Sequence, residues 1–81
     1  MVEEYIGIIK LFAGDFAPAG WAECQGQLLP INNNEALFSI LGTRYGGNGQ
    51  TDFALPNLTK KAPISGTRYI ICLMGAFPPR Q

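Results

Sequence analysis

Hydrophobic and polar positions alternate through residues 6–13, with Ile6, Ile8, Lys10 and Phe12 on one face and Gly7, Ile9, Leu11 and Ala13 on the other. Both faces are mostly apolar, the pattern of a strand covered on two sides. Residues 14–20 interrupt it with a turn in which Pro18 presets its own φ and Gly20 tolerates a positive one. Residues 21–24 form a short second strand. Gln25, Gly26 and Gln27 then reverse the chain into residues 28–31, where Pro30 restricts the segment to an edge or terminal strand. Asn32, Asn33 and Asn34 supply three candidate N-caps ahead of Glu35, an acidic residue suited to a first helical turn. Ala36, Leu37, Ile40 and Leu41 fall on one stripe with Phe38 beside it, and Gly42 stops the run. The spacing predicts one helix over about residues 33–42. From residue 43 to residue 61 periodicity dissolves into a Gly- and Pro-rich loop region around Tyr45, Gly46, Gly47, Asn48, Gly49 and Pro56. A second two-sided apolar strand covers residues 67–74, with Tyr69, Ile71 and Leu73 alternating against Ile70, Cys72 and Met74. Residues 76–81 read as an extended tail stiffened by proline.

These elements describe a small, mostly-β α+β domain with one short helix, occupying residues 1–81 as a single unit. Composition adds a second expectation. A chain of 81 residues buries only about 60% of the surface its unfolded form exposes. Its charged fraction of 15% lies below the typical ~25%, so part of its surface is expected to be covered by something other than water. Two strands that are apolar on both faces ask for the same cover, and the fold is expected to be completed by oligomerisation.

Six basic and six acidic residues cancel, which leaves no source for the polyelectrolyte attraction that drives nucleic-acid binding. No apolar run approaches the ~20 residues of a membrane span. The start at Met1, Val2, Glu3 and Glu4 lacks the basic opening of a secretory signal, so assembly in the cytoplasm, or export by another route, is expected. The charges are uneven along the chain. Residues 1–40 hold Glu3, Glu4, Asp15, Glu23 and Glu35 against Lys10, whereas residues 41–81 hold Arg44, Lys60, Lys61, Arg68 and Arg80 against Asp52. Either the halves lie at opposite ends and favour head-to-tail contact between copies, or they interleave and the asymmetry vanishes in space.

Catalytic chemistry finds little support. The absence of histidine removes the commonest general base and metal ligand. The glycines at positions 46–49 lack the following helix and Lys-Ser/Thr pair of a phosphate loop, so a tight structural loop is expected. Glu3, Glu4, Asp15, Glu23 and Asp52 are not placed as working pairs, and Ser39 and Ser65 have no partner base. No enzyme activity, metal or cofactor is predicted. Cys24 and Cys72 lie 48 positions apart, each among apolar neighbours; they are either buried thiols or partners in a disulfide. Trp21, Tyr45, Phe53 and Phe77 neighbour turn residues and read as exposed aromatics. They suit assembly contacts or stacking on a sugar, or they plug the ends of a small core.

Three stretches in order resemble the phage tail collar domain family, which includes proteins known as microcystin-dependent. Residues 6–27, with Phe16-Ala17-Pro18-Ala19-Gly20-Trp21 and Cys24-Gln25-Gly26-Gln27, are similar to the family's opening strand, turn and hairpin. Residues 34–49 resemble its helix and Gly-rich turn, and Phe53-Ala54-Leu55-Pro56-Asn57-Leu58 its Phe-x-Leu-Pro-Asp-Leu segment. Asn57-Leu58 leads into Thr59-Lys60-Lys61 where the family usually has Asp-Leu-Arg-Gly-Arg. Only residues 62–68 precede the closing strand and Gly75-Ala76-Phe77-Pro78, where longer relatives carry a variable central segment. The resemblance implies a minimal structural subunit of a phage tail fibre, spike or related injection particle, a virion or extracellular component that is often trimeric, whereas the charge split along the chain favours an open head-to-tail filament. Other tail or injection-particle proteins are the implied further partners; the alternative, read from the aromatics rather than from the resemblance, is a small module that binds a cell-surface glycan or receptor.

Overall fold

A computed structural model describes residues 4–77 of the chain. Five strands and one helix follow in the order β1 Ile9–Phe12, β2 Trp21–Glu23, β3 Leu28–Pro30, α1 Glu35–Leu41, β4 Asp52–Ala54 and β5 Arg68–Cys72. They form a three-stranded sheet in the order β1-β5-β2 and a two-stranded sheet of β3 with β4. All three ladders are antiparallel, with Ile9 opposite Ile71, Trp21 opposite Cys72 and Leu29 opposite Phe53. The α+β class and the mostly-β character follow the sequence pattern.

The two expected two-sided strands divide in fate. β5 takes the centre of its sheet, and Ile70, Ile71 and Cys72 are all buried there. β1 takes an edge, and it is shorter than the alternation of residues 6–13 suggests. Gly7 bends the chain at φ +91°, where an added Cβ would press within 3.3 Å of the Ile40 side chain. The bend drops Ile6 into the main core while Ile6 and Gly7 donate their N–H groups to the carbonyls of Ala76 and Cys72, at 2.9 and 3.0 Å.

The core packs α1 and β4 against the three-stranded sheet. Leu37 and Leu41 of the helix meet Phe53, Leu55, Cys24, Ile71 and Ile6, and the Phe38 ring tilts onto Phe53 with centroids 5.4 Å apart. The helix starts after Asn34, but the Asn34 amide turns back to donate to the Pro30 carbonyl at 2.9 Å and provides no side-chain cap. Its end conforms to expectation, with Gly42 N–H donating to Phe38 O at 2.7 Å.

The stretch expected to lack regular structure contains β4. Its order comes from contacts that alternation cannot reveal. Asn48 Oδ1 accepts N–H groups from Gln50, Thr51 and Asp52 at 2.7, 2.8 and 3.2 Å, and Asn48 N–H donates to Asp52 Oδ1 at 2.8 Å. The loop thereby satisfies its own backbone and delivers Phe53 and Leu55 into the core as a tight structural turn.

The chain halves interleave. β5 from the second half pairs with both β1 and β2 from the first, and Arg68 forms an ion pair with Glu23 across the halves at 3.3 Å. The two halves of the sequence are therefore not separate ends of the fold, and the asymmetry along the chain gives no basis for oppositely charged ends.

Candidate functional site

The two edges of the three-stranded sheet differ in how their backbone groups are satisfied. In the β2–β5 ladder, Leu73 N–H donates to Gly20 O at 2.8 Å and Cys24 N–H to Tyr69 O at 3.0 Å. Alternation then points the backbone groups of Trp21 and Glu23 away from β5. Half of these groups find local partners, while Trp21 O and Glu23 N–H have none among the described residues. Trp21 N–H donates to Pro18 O at 3.0 Å, and the Gln27 side-chain amide donates to Glu23 O at 2.8 Å. This edge is partly closed by the chain itself.

The β1 edge is open. Cys72 N–H donates to Ile8 O at 2.9 Å, so Ile8, Lys10 and Phe12 face β5 while Ile9 and Leu11 turn their backbone groups outward. Among the described residues no main-chain hydrogen bond reaches Ile9 or Leu11 from that side. Their side chains are also uncovered, at 39% and 38% exposure. Lysine on an edge ordinarily discourages strand addition, but the Lys10 ammonium is engaged by the Glu4 carboxylate. An unpaired ladder flanked by exposed aliphatic side chains is a template for another strand.

A cleft of about 220 Å³ lies at the far end of β2 and β5, beside the loop of residues 57–67. Glu23 and Arg68 line it, and Gln25 donates its amide to Glu23 Oε1 at 2.8 Å. Arg68 Nε is buried without a hydrogen-bond partner among the described residues, so Glu23 is the partner that anchors the guanidinium.

The cysteines are free and buried. Cys72 stands opposite Trp21, whereas Cys24 follows Glu23 and bonds to Tyr69. The odd offset along the ladder puts the two side chains on opposite faces of the sheet, and no disulfide spans that arrangement without rebuilding the strands. Burial pushes the Cys24 thiol up to about 11. Cys72 is raised chiefly by burial, with the hydrogen bond to the Met74 carbonyl acting in the opposite direction.

Of the four aromatics singled out by sequence, Phe53 takes the alternative of a core residue. It is fully buried, because the Asn48-centred turn directs β4 inward, so it can neither stack on a sugar nor contact a partner. Tyr45 and Phe77 are exposed and Trp21 is half-buried. They belong to the loop after α1, the segment after β5 and the start of β2, three separate parts of the fold. Sequence reasoning missed the Gln27 cap and the Glu23–Arg68 pair, which join residues that carry no shared motif.

The family model for the Phage Tail Collar Domain matches residues 7–63. That match covers well over half of the chain, and the protein belongs to this family. No curated protein and no solved structure shows significant similarity to the chain. Family membership points to a structural role in a phage tail fibre, in assembly with other phage proteins as part of a virion. Among the described residues no helix is long and apolar enough to cross a membrane.

Proposed function

We propose that the chain is a self-assembling subunit of a phage-tail-like fibre or spike, folding as one small domain and joined to further copies along the open edge of β1. The observation that carries this reading is the contrast between the two sheet edges. One is partly closed by Gln27 and Pro18; the other presents the backbone groups of Ile9 and Leu11 with no partner among the described residues and with their side chains exposed. A strand added at that edge gains main-chain hydrogen bonds and covers apolar surface together. The interleaved strands remove the charge argument for an open head-to-tail filament, and a homotrimer fits the family resemblance; in it β1 receives a different segment of the neighbouring copy, since pairing two β1 edges would close a dimer. The particle is extracellular in use and assembled in the cytoplasm.

Light scattering coupled to size exclusion tests the reading directly. The native chain is expected at about three times its 8.8 kDa mass, falling toward the single-chain mass in the variants Ile9→Lys and Leu11→Lys. A mass of 8.8 kDa at every concentration would sink it.

A further inference from the structure

The cleft beside β2 and β5 plays no part in the assembly edge, and its chemistry is specific enough to name a ligand class. Glu23 and Arg68 are held 3.3 Å apart and cancel one another's charge. A cleft with no net charge has no reason to retain a phosphate or a carboxylate. It offers hydrogen bonds of both kinds instead. Arg68 and Gln25 contribute donors, and Glu23 contributes carboxylate oxygens. The hydroxyls of Thr59 and Thr67 already donate to Asn57 Oδ1 and Ile64 O, at 2.7 and 2.5 Å, which leaves their lone pairs to accept. Tyr69 adds an aromatic residue to the lining. A hydroxyl both donates and accepts, so a ligand dense in hydroxyls matches this alternation of partners, whereas a simple anion or an apolar group matches only half of it.

Preorganisation supports the same conclusion. Glu23 is fixed from two sides, by Arg68 and by Gln25 at 2.8 Å, so little side-chain freedom remains to be lost on binding. The volume of about 220 Å³ falls below the roughly 300–1,000 Å³ of sites for drug-sized ligands, a size that suits one ring. We infer that this cleft is a subsite for a single neutral sugar ring, the terminal unit of a glycan, read by Glu23, Gln25, Thr59, Thr67 and Arg68. The site is distinct from the aromatic surface of Trp21 and Tyr45.

Amide chemical shifts of the native protein, titrated with the methyl glycosides of glucose, galactose, mannose and N-acetylglucosamine, test the inference. Methyl glycosides mimic chain ends, and a site of this size predicts a dissociation constant on the order of millimolar for the best of them. Saturable shifts are expected at residues 23–25, 58–59 and 66–69. Gln25→Ala at an exposed position and Thr67→Val at a half-buried one are expected to weaken that binding by at least about fivefold, each removing one hydrogen-bonding group. Failure of every glycoside to saturate these amides by about 100 mM overturns the inference. So does an equal response to glycerol, a stronger response to inorganic phosphate, or a response centred on Trp21 and Tyr45. The native titration decides the matter even if a variant fails to fold.

Discussion

Gln27 donates its side-chain amide to the main-chain carbonyl of Glu23 at 2.8 Å, and this one bond helps to decide which edge of the sheet stays closed. Without it, an outward carbonyl on β2 would be free to accept a strand. Gln27→Ala is expected to lower stability by about 1 kcal/mol, the usual worth of such a bond. It is also expected to raise the mean mass seen by light scattering, because a second edge becomes available for pairing. Urea midpoints and scattering on one preparation check both. A variant less stable but unchanged in mass would mean that Pro18 alone guards the edge.

The Gly-rich turn makes a sharper test. At Gly47 the backbone has φ +92°, and a Cβ there would overlap the Phe53 backbone and stand 2.8 Å from the Asp52 carbonyl oxygen. Gly47→Ala therefore combines an unfavourable φ with a backbone clash, and a loss above about 2 kcal/mol is expected. Gly66 has φ +84° but open space around its would-be Cβ, so Gly66→Ala is expected to cost only about 1 kcal/mol. Thermal denaturation of the pair separates the steric contribution from the conformational one.

Phe53 and Tyr45 carry similar rings to opposite fates. Phe53 is fully buried and Tyr45 is 45% exposed. Phe53→Ala is expected to lose about 3–5 kcal/mol and to leave little folded protein, whereas Tyr45→Ala is expected to stay within about 0.5 kcal/mol of the native chain. Near-ultraviolet circular dichroism and chemical denaturation report the difference.

The thiols predict a dependence on alkaline pH. Cys24 is raised from 9.0 to about 11 by burial, so below pH 9 it is protonated in folded and unfolded chains alike. Between these values the unfolded chain gives up its proton while the folded chain retains it. Unfolding then releases a proton, and stability falls as pH rises through that window. Cys72 shifts in the same direction. Urea midpoints measured from pH 8 to 10.5 are expected to decline, and to decline less in Cys24→Ala. Both thiols are expected to react with a thiol reagent only on unfolding, and mild oxidation is expected to yield no link between Cys24 and Cys72.

Much of the fold was legible in residue patterns because those patterns respond to local rules. The stripe of Leu37, Ile40 and Leu41 closed by Gly42 marks a helix whatever lies around it, and the run through Ile70, Ile71 and Cys72 marks a strand covered on both faces. The candidate site was less legible. Gln27 and Glu23 are near in sequence, but their bond depends on a side chain turning back along a strand edge. Arg68 meets Glu23 only because β5 lies between β1 and β2.

By themselves the residues determined the family, the class of fold, the single helix and the presence of two strands too apolar to stand alone in water. Only the tertiary structure decided which of those strands became central and which was left at an edge. Both read alike as alternating apolar runs, and burial is a property of neighbours that periodicity does not contain. The same holds for Phe53 and for the thiols. An aromatic beside a turn looks exposed until Asn48 folds the loop inward, and two cysteines look pairable until strand register sets them on opposite faces.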